Sequence, residues 1–187
     1  DIVTLDGTVR ASAGDVVAEI TTDENGYAET DLLYLGKYEI KEVQAPYGYV
    51  RNSESQFVEL TYAGQEIAVL DTVNASFVND YQSVEISLSK VMENDELFGI
   101  GNNNEYLSVR FGLFAAEDIT AADGTVIPAD GLLSEVSLAE NMTAKFDVQI
   151  PFGRYYVQEI ATDEHYVLNG EKYLVNFEYM GQDIRTA

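Results

Sequence analysis

Four polar side chains stand where a strand-rich sequence should place apolar ones: Glu42, Asn79, Lys90 and Glu159. Side chains two apart on a strand share a face. Tyr38, Ile40 and Glu42 therefore point together, as do Tyr155, Val157 and Glu159; Val84, Ile86, Leu88 and Lys90 form a third such row, and Val73, Ala75, Phe77 and Asn79 a fourth. An ionised carboxylate held in a core without a partner is too costly to keep, so an acid placed there twice should meet a specific group. A desolvated lysine loses its preference for the charged form and becomes a nucleophilic amine, whose target in this set is the carboxamide carbon of an asparagine. An adjacent protonated glutamate can hydrogen-bond the amide oxygen, take the amine proton and pass it to the departing ammonia. Two strands that hold Lys and Asn in contact supply the effective concentration this slow reaction needs. The product is a Lys–Asn isopeptide bond, formed once.

The elements that must position these groups read as short strands. Threonine, valine, tyrosine and phenylalanine alternate with polar residues, three prolines and fourteen glycines punctuate the chain, and no long run has a helical period. The expected fold class is all-β. Strands are placed at 16–21, 36–43, 56–62, 73–79, 84–91, 106–115, 133–138, 144–150, 154–160 and 173–179, with turns at Asp6-Gly7, Asn25-Gly26, Asp123-Gly124 and Asn169-Gly170.

The chain also repeats itself. Gly36-Lys37-Tyr38-Glu39-Ile40-Lys41-Glu42 recurs as Gly153-Arg154-Tyr155-Tyr156-Val157-Gln158-Glu159, and matching Asp1-Ile2 to Asp118-Ile119 sets the offset at 117 (118 − 1). Asp6-Gly7-Thr8-Val9 falls on Asp123-Gly124-Thr125-Val126, and Tyr62-Ala63-Gly64-Gln65-Glu66-Ile67 on Tyr179-Met180-Gly181-Gln182-Asp183-Ile184. So long a period indicates tandem domains rather than a solenoid. The expected domains are 1–82 and 83–187. The counterpart of 84–117 would precede Asp1, so the first copy is expected to lack its opening strands; the counterpart of 71–79 would follow Ala187, so the second is expected to lack its closing strand.

Composition bounds the partners. With 187 residues and 46% hydrophobic content there is material for two small cores, and 33 acids against 10 bases give a formal charge of −23. Such a surface repels nucleic acid and anionic membranes, and no apolar stretch is long enough for a membrane span. There is no cysteine, and His165 is the only histidine, so no metal or other cofactor is expected. Asp-rich turns such as Asp23-Glu24-Asn25-Gly26 lack the ligand spacing of a calcium loop, and Asn74-Ala75-Ser76 and Asn141-Met142-Thr143 are not expected to carry sugar.

Gly36-Lys37-Tyr38-Glu39-Ile40-Lys41-Glu42, followed by Ala45-Pro46-Tyr47-Gly48-Tyr49, resembles the E-box of the Cna-B or SpaA-type prealbumin-like domains that build pilin shafts and adhesin stalks of Gram-positive surface proteins. The resemblance implies two tandem β-sandwiches. It also implies roles: the first strand of each domain supplies the lysine, the E-box the acid and the last strand the asparagine. Glu42 and Asn79 would then be acid and acceptor of the first domain, and Lys90 and Glu159 nucleophile and acid of the second, each set wanting one partner outside this fragment. The second copy departs from the motif, with Thr162-Asp163-Glu164-His165-Tyr166 after its acid.

Each of these residues has a plainer reading. A lysine at a strand end snorkels to the rim, a glutamate serves as a satisfied hydrogen-bond partner, and an asparagine caps a turn. Their joint placement with the E-box favours isopeptide chemistry in the parent protein, although the bond is not expected to form within this fragment. The implied function is a structural stalk or pilus-like repeat of an extracellular, wall-associated bacterial adhesin, partnered by neighbouring domains of the same protein; no turnover enzyme is expected. The alternative is an adhesin module that itself binds a host protein or glycan, and fold resemblance does not separate the two.

Overall fold

Short runs that alternate polar and apolar side chains become ladders wherever a neighbouring strand exists to accept them. The computed structural model describes residues 1–64 and 72–187, so the Gln65-Glu66-Ile67 part of the repeat match lies outside the described residues. Regular structure is strand throughout, apart from one 3-10 turn among the described residues, which bears out the all-β expectation. The chain divides into two compact units, Asp1–Gln44 with Arg51–Asn79, and Ala45–Val50 with Asp80–Ala187.

In the first unit, β1 (Ile2–Val3) and β2 (Val9–Ala11) form a hairpin, and β3 (Gly36–Ile40) pairs antiparallel with β4 (Gln56–Leu60), Tyr38 lying opposite Val58. The hairpin turn needs Gly7, whose φ of 83° is open to glycine at no steric cost, while Asp6 Oδ1 accepts the Thr8 N–H at 3.1 Å. Tyr38, Ile40 and Glu42 share the more sheltered face, as alternation requires, yet all three are only half-buried. Among the described residues of this unit none is fully buried.

Two expected strands of this unit are not strands. Residues 16–21 carry no ladder, whereas their repeat counterpart in the second unit is a strand because a neighbour pairs with it; no described strand of the first unit stands in that neighbour's place. Residues 73–79 also form no ladder, and Val73 and Ala75 are exposed rather than inward. Side chains of the β4 side take over part of the pairing. Gln56 binds both backbone groups of Ser76, accepting its N–H at 3.1 Å and donating to its carbonyl, and Asn52 Nδ2 donates to the Val78 carbonyl at 3.1 Å.

The second unit has the core. Its main sheet has the order β12 (Tyr173–Phe177), β11 (Gly153–Ala161), β6 (Arg110–Ala115), β9 (Leu132–Ser137), all antiparallel, and a pair formed by β5 (Ile86–Ser89) and β10 (Thr143–Phe146) contributes to the same core. Ile86, Phe111, Leu113, Phe146, Tyr155, Val157 and Phe177 meet there. The Tyr155 opposite Val175 register repeats the Tyr38 opposite Val58 register at the same offset of 117. Both tyrosines donate to the carbonyl four residues back, Tyr155 to Pro151 at 2.6 Å and Tyr38 to Tyr34 at 2.5 Å. Burial pushes the Tyr155 hydroxyl up to about 12. The other face of β11 is covered too: Tyr156 stacks on Phe114 with centroids 5.0 Å apart, and Lys172 sits over its ring.

A short hairpin of β7 (Ile119–Thr120) and β8 (Val126–Ile127) repeats the β1–β2 unit, with Asp123 accepting the Thr125 N–H as Asp6 accepts that of Thr8. Asn169-Gly170 is not a turn of the expected kind, since Gly170 is not among the residues with positive φ. The segment Arg185–Ala187 runs parallel beside Ser83–Glu85, with Ser83 N–H to Arg185 O, Ala187 N–H to Ser83 O and Glu85 N–H to Ala187 O all at 2.9 Å. Ala45–Val50, which contains the Ala45-Pro46-Tyr47-Gly48-Tyr49 motif, packs here through Ala45 N–H to Gln182 Oε1 at 2.8 Å and Tyr47 edge-on against Tyr179 at 4.7 Å.

The expected strand 106–115 starts late, because Glu105–Ser108 coil into the 3-10 turn after Asn104 in the left-handed region. The buried Glu105 carboxylate causes this by gathering N–H groups from Gly101 at 2.9 Å and Asn103 at 2.7 Å, together with the Asn103 side-chain amide at 3.1 Å. Burial works to raise its pKa, but these donors and its own N–H outweigh that and bring it from 4.5 down to about 2. A carboxylate held lower in the folded state stabilises above its unfolded value and loses that contribution as pH falls. The second unit is therefore expected to lose stability between pH 4.5 and about 2, and Glu105→Gln should remove part of that dependence. Denaturant titrations across this window check it; identical acid sensitivity in the variant would refute the assignment.

Candidate functional site

The repeat gives each unit an acid at the same sequence position, Glu159 within β11 and Glu42 two residues beyond the end of β3. β11 carries Glu159 in the inward row with Tyr155 and Val157, and all three are buried. Lys90 follows β5 directly, its N–H bonded to the Met142 carbonyl at 2.9 Å, which brings the side chain under the main sheet. Its Nζ stands 3.1 Å from Glu159 Oε1, with the lysine side chain 21% exposed and the glutamate 1%. The contact is close but off the hydrogen-bonding direction, for Oε1 is left without a hydrogen-bond partner. The other oxygen is held: Oε2 accepts the Asn169 N–H at 2.7 Å. One carboxylate oxygen is thus anchored, and the other faces an amine with a lone pair to spare.

In the first unit the same anchor recurs. Glu42 Oε2 accepts the Asn52 N–H at 2.5 Å, ten residues along as Asn169 is from Glu159, and accepts Asn79 Nδ2 at 2.7 Å. Asn79 reaches the acid through its amide nitrogen. For the chemistry expected above, that nitrogen is the leaving group.

The structure therefore brings Lys90 to Glu159 within the second unit and Asn79 to Glu42 within the first. One unit displays the amine side of the arrangement and the other the amide side, each around the equivalent acid. Among the described residues neither unit brings all three groups together.

Sequence reading passed over the anchors. Asn52-Ser53-Glu54 and Asn169-Gly170-Glu171 are matched at the offset of 117, a signal that was there to be seen. In each the asparagine Oδ1 accepts the N–H two residues on, Glu54 at 2.9 Å and Glu171 at 3.0 Å, which turns the backbone so that the asparagine's own N–H aims at the acid. Gln82 was also missed; it is buried, donating to Ile184 O at 2.6 Å and accepting from Met180 N–H at 2.8 Å.

The residues given no role have ordinary work. His165 lies in an exposed pair with Asp163 at 2.6 Å, which raises the imidazole pKa. Asp23 is taken up by the N–H groups of Asn25 and Tyr27, and among the described residues no cluster of three or more histidine, aspartate or glutamate side chains is disposed to hold a metal. Nor is any helix long and apolar enough to cross a membrane.

Removing the amine alone should strand Glu159 in the core, at a cost of about 3 kcal/mol or more, whereas replacing both members by apolar residues should be far milder. Lys90→Ala is expected to destabilise the second unit strongly and Lys90→Met with Glu159→Leu to recover most of the loss, as read by chemical denaturation. Equal destabilisation by the single and the double replacement would show that the pair is not coupled.

Comparison with known proteins bears on the fold. Residues 2–74 match the SpaA family model, described as a prealbumin-like fold domain. The trypsin-resistant surface T6 protein of Streptococcus pyogenes serotype M6 is 31% identical over 101 residues, which is 54% of this chain and 18% of that protein. The solved structure of the Bacillus anthracis TIE protein superposes with a TM-score of 0.54 at 24% identity, covering 90% of this chain and 27% of the other, a likeness of fold. The chain thus spans less than a third of the length of either relative. The resemblance to Cna-B and SpaA-type domains read from the sequence is borne out by the match of residues 2–74 to the SpaA model and by the similarity to the T6 protein.

Proposed function

We propose that the chain is a stretch of two tandem prealbumin-like sandwiches, 1–82 and 83–187, from the stalk of a Gram-positive cell-surface protein, and that each complete domain is welded by a Lys–Asn isopeptide bond. The observation that carries this is the pair of half-sites around Glu42 and Glu159: the same anchored acid meets an amide in one copy and an amine in the other. The surface location in the T6 protein's name supports an extracellular, wall-associated setting, and its trypsin resistance is the property a covalent staple would confer.

In a complete domain the lysine Nζ lone pair adds to the asparagine Cγ and a C–N bond forms. The acid accepts the proton that the amine must lose and delivers it to the amide nitrogen. The old C–N bond then breaks and ammonia leaves, so that amine plus carboxamide become secondary amide plus ammonia with no other reactant. Burial removes competing water and keeps the amine nucleophilic. The reaction runs once, and its product carries tension between the first and last strands of a domain. Neighbouring domains of the same protein are the natural partners of such a repeat.

Intact-mass analysis of the parent protein tests this. Each complete domain should be lighter by one ammonia, and Lys90→Ala or Glu159→Ala should restore the full mass of the second domain alone. A folded parent at its full calculated mass would reject the proposal.

A further inference from the structure

The asparagine ten residues beyond each acid does two things at once. In the first unit the backbone N–H of Asn52 holds Glu42 Oε2 at 2.5 Å, while its side-chain Nδ2 donates to the carbonyl of Val78 at 3.1 Å, the residue next to Asn79. Gln56 reinforces that second grip by binding both backbone groups of Ser76. Acid and acceptor strand are thus tied to one residue, which is itself fixed by the Glu54 N–H on its Oδ1.

The second unit keeps the first grip and redirects the second. Asn169 holds Glu159 Oε2 at 2.7 Å and accepts the Glu171 N–H at 3.0 Å, but its Nδ2 donates to the Tyr173 hydroxyl at 3.1 Å. Tyr173 occupies the repeat position of Gln56, 117 residues on. The residue that would grip an acceptor strand is here bonded to the asparagine.

Resting on the isopeptide reading above, we propose that Asn52 and Asn169 are positioning residues for the bond-forming step. Each sets the acid by its main-chain N–H and registers the acceptor asparagine by its side-chain amide. In Asn169 the amide rests on Tyr173 and transfers to the acceptor strand when that strand is in place. Two features set this apart from a generic turn. The same residue type, spacing and acid contact occur in both copies, and in the second unit the contact falls on the oxygen that does not face the amine, leaving Oε1 of Glu159 open to Lys90, whereas in the first Glu42 Oε2 accepts both the Asn52 N–H and Asn79 Nδ2. The acid must take a proton from one nitrogen and give it to another, so an anchor that fixes its plane relative to both is what the step calls for.

The test follows ammonia loss by intact mass as the parent protein refolds, comparing the wild type with Asn52→Ala, Asn52→Ser, Asn169→Ala and Asn169→Ser. Misplacing a reacting group by about an ångström costs on the order of a hundredfold. Each alanine variant should slow the bond in its own domain by about 10- to 100-fold and leave the other domain's rate unchanged. Serine retains an oxygen that can accept the N–H two residues on, so it should recover part of the lost rate by restoring the aim at the acid, but not the grip on the strand. Should an alanine variant fail to fold, the serine variant alone still decides, since it is expected to fold and to react more slowly than the wild type. Bond formation at wild-type rate in the variants, or equal slowing by alanine and serine, would overturn this inference and leave the isopeptide reading standing. A wild type that never loses ammonia would overturn both.

Discussion

A carboxylate inside a sheet must be given partners, and much of the local structure around Glu159 exists to supply them. Its strand is covered on both faces, with Tyr155 and Val157 beside it in the core and Tyr156 covered on the opposite face. Burial of this kind makes an unpaired charge expensive. Lys90 and the Asn169 N–H answer the two oxygens separately, so the feature that threatens stability is also the one that organises the site.

The two units show how far a ladder depends on its neighbours. β9 is a strand because β6 lies beside it, whereas residues 16–21, of the same repeat position, have no described strand to pair with and remain irregular. β3 and β4 keep the register of β11 and β12, since each of those pairs is self-sufficient in hydrogen bonds. Burial does not follow automatically: the inward row of β3 is half-exposed, while that of β11 is closed off by β5, β6 and β10. Where backbone pairing fails, as along 73–79, amide side chains of Asn52 and Gln56 substitute for it.

A stalk domain needs its ends joined more than it needs a cleft. On the stalk reading proposed above, the strongly acidic composition and the absence of cysteine from the 187 residues suit a module whose covalent reinforcement would come from ordinary side chains. Such a device requires only that folding deliver three groups to one dry place and hold them there.

Period-two alternation and the offset of 117 were enough to read strands, the repeat and the inward placement of Glu42, Lys90 and Glu159, because side-chain direction along a strand is a local property of the backbone. Strand existence was less legible. Residues 16–21 and 73–79 have the right pattern, but a strand is completed by a partner distant in sequence, and pattern carries no record of whether that partner is present. Glu105 is a similar case, its 3-10 turn arising from N–H groups that converge only once the loop is closed. The anchoring role of Asn52 and Asn169 likewise came from the tertiary structure, since which backbone N–H faces a buried carboxylate is settled by how a turn folds back over a sheet.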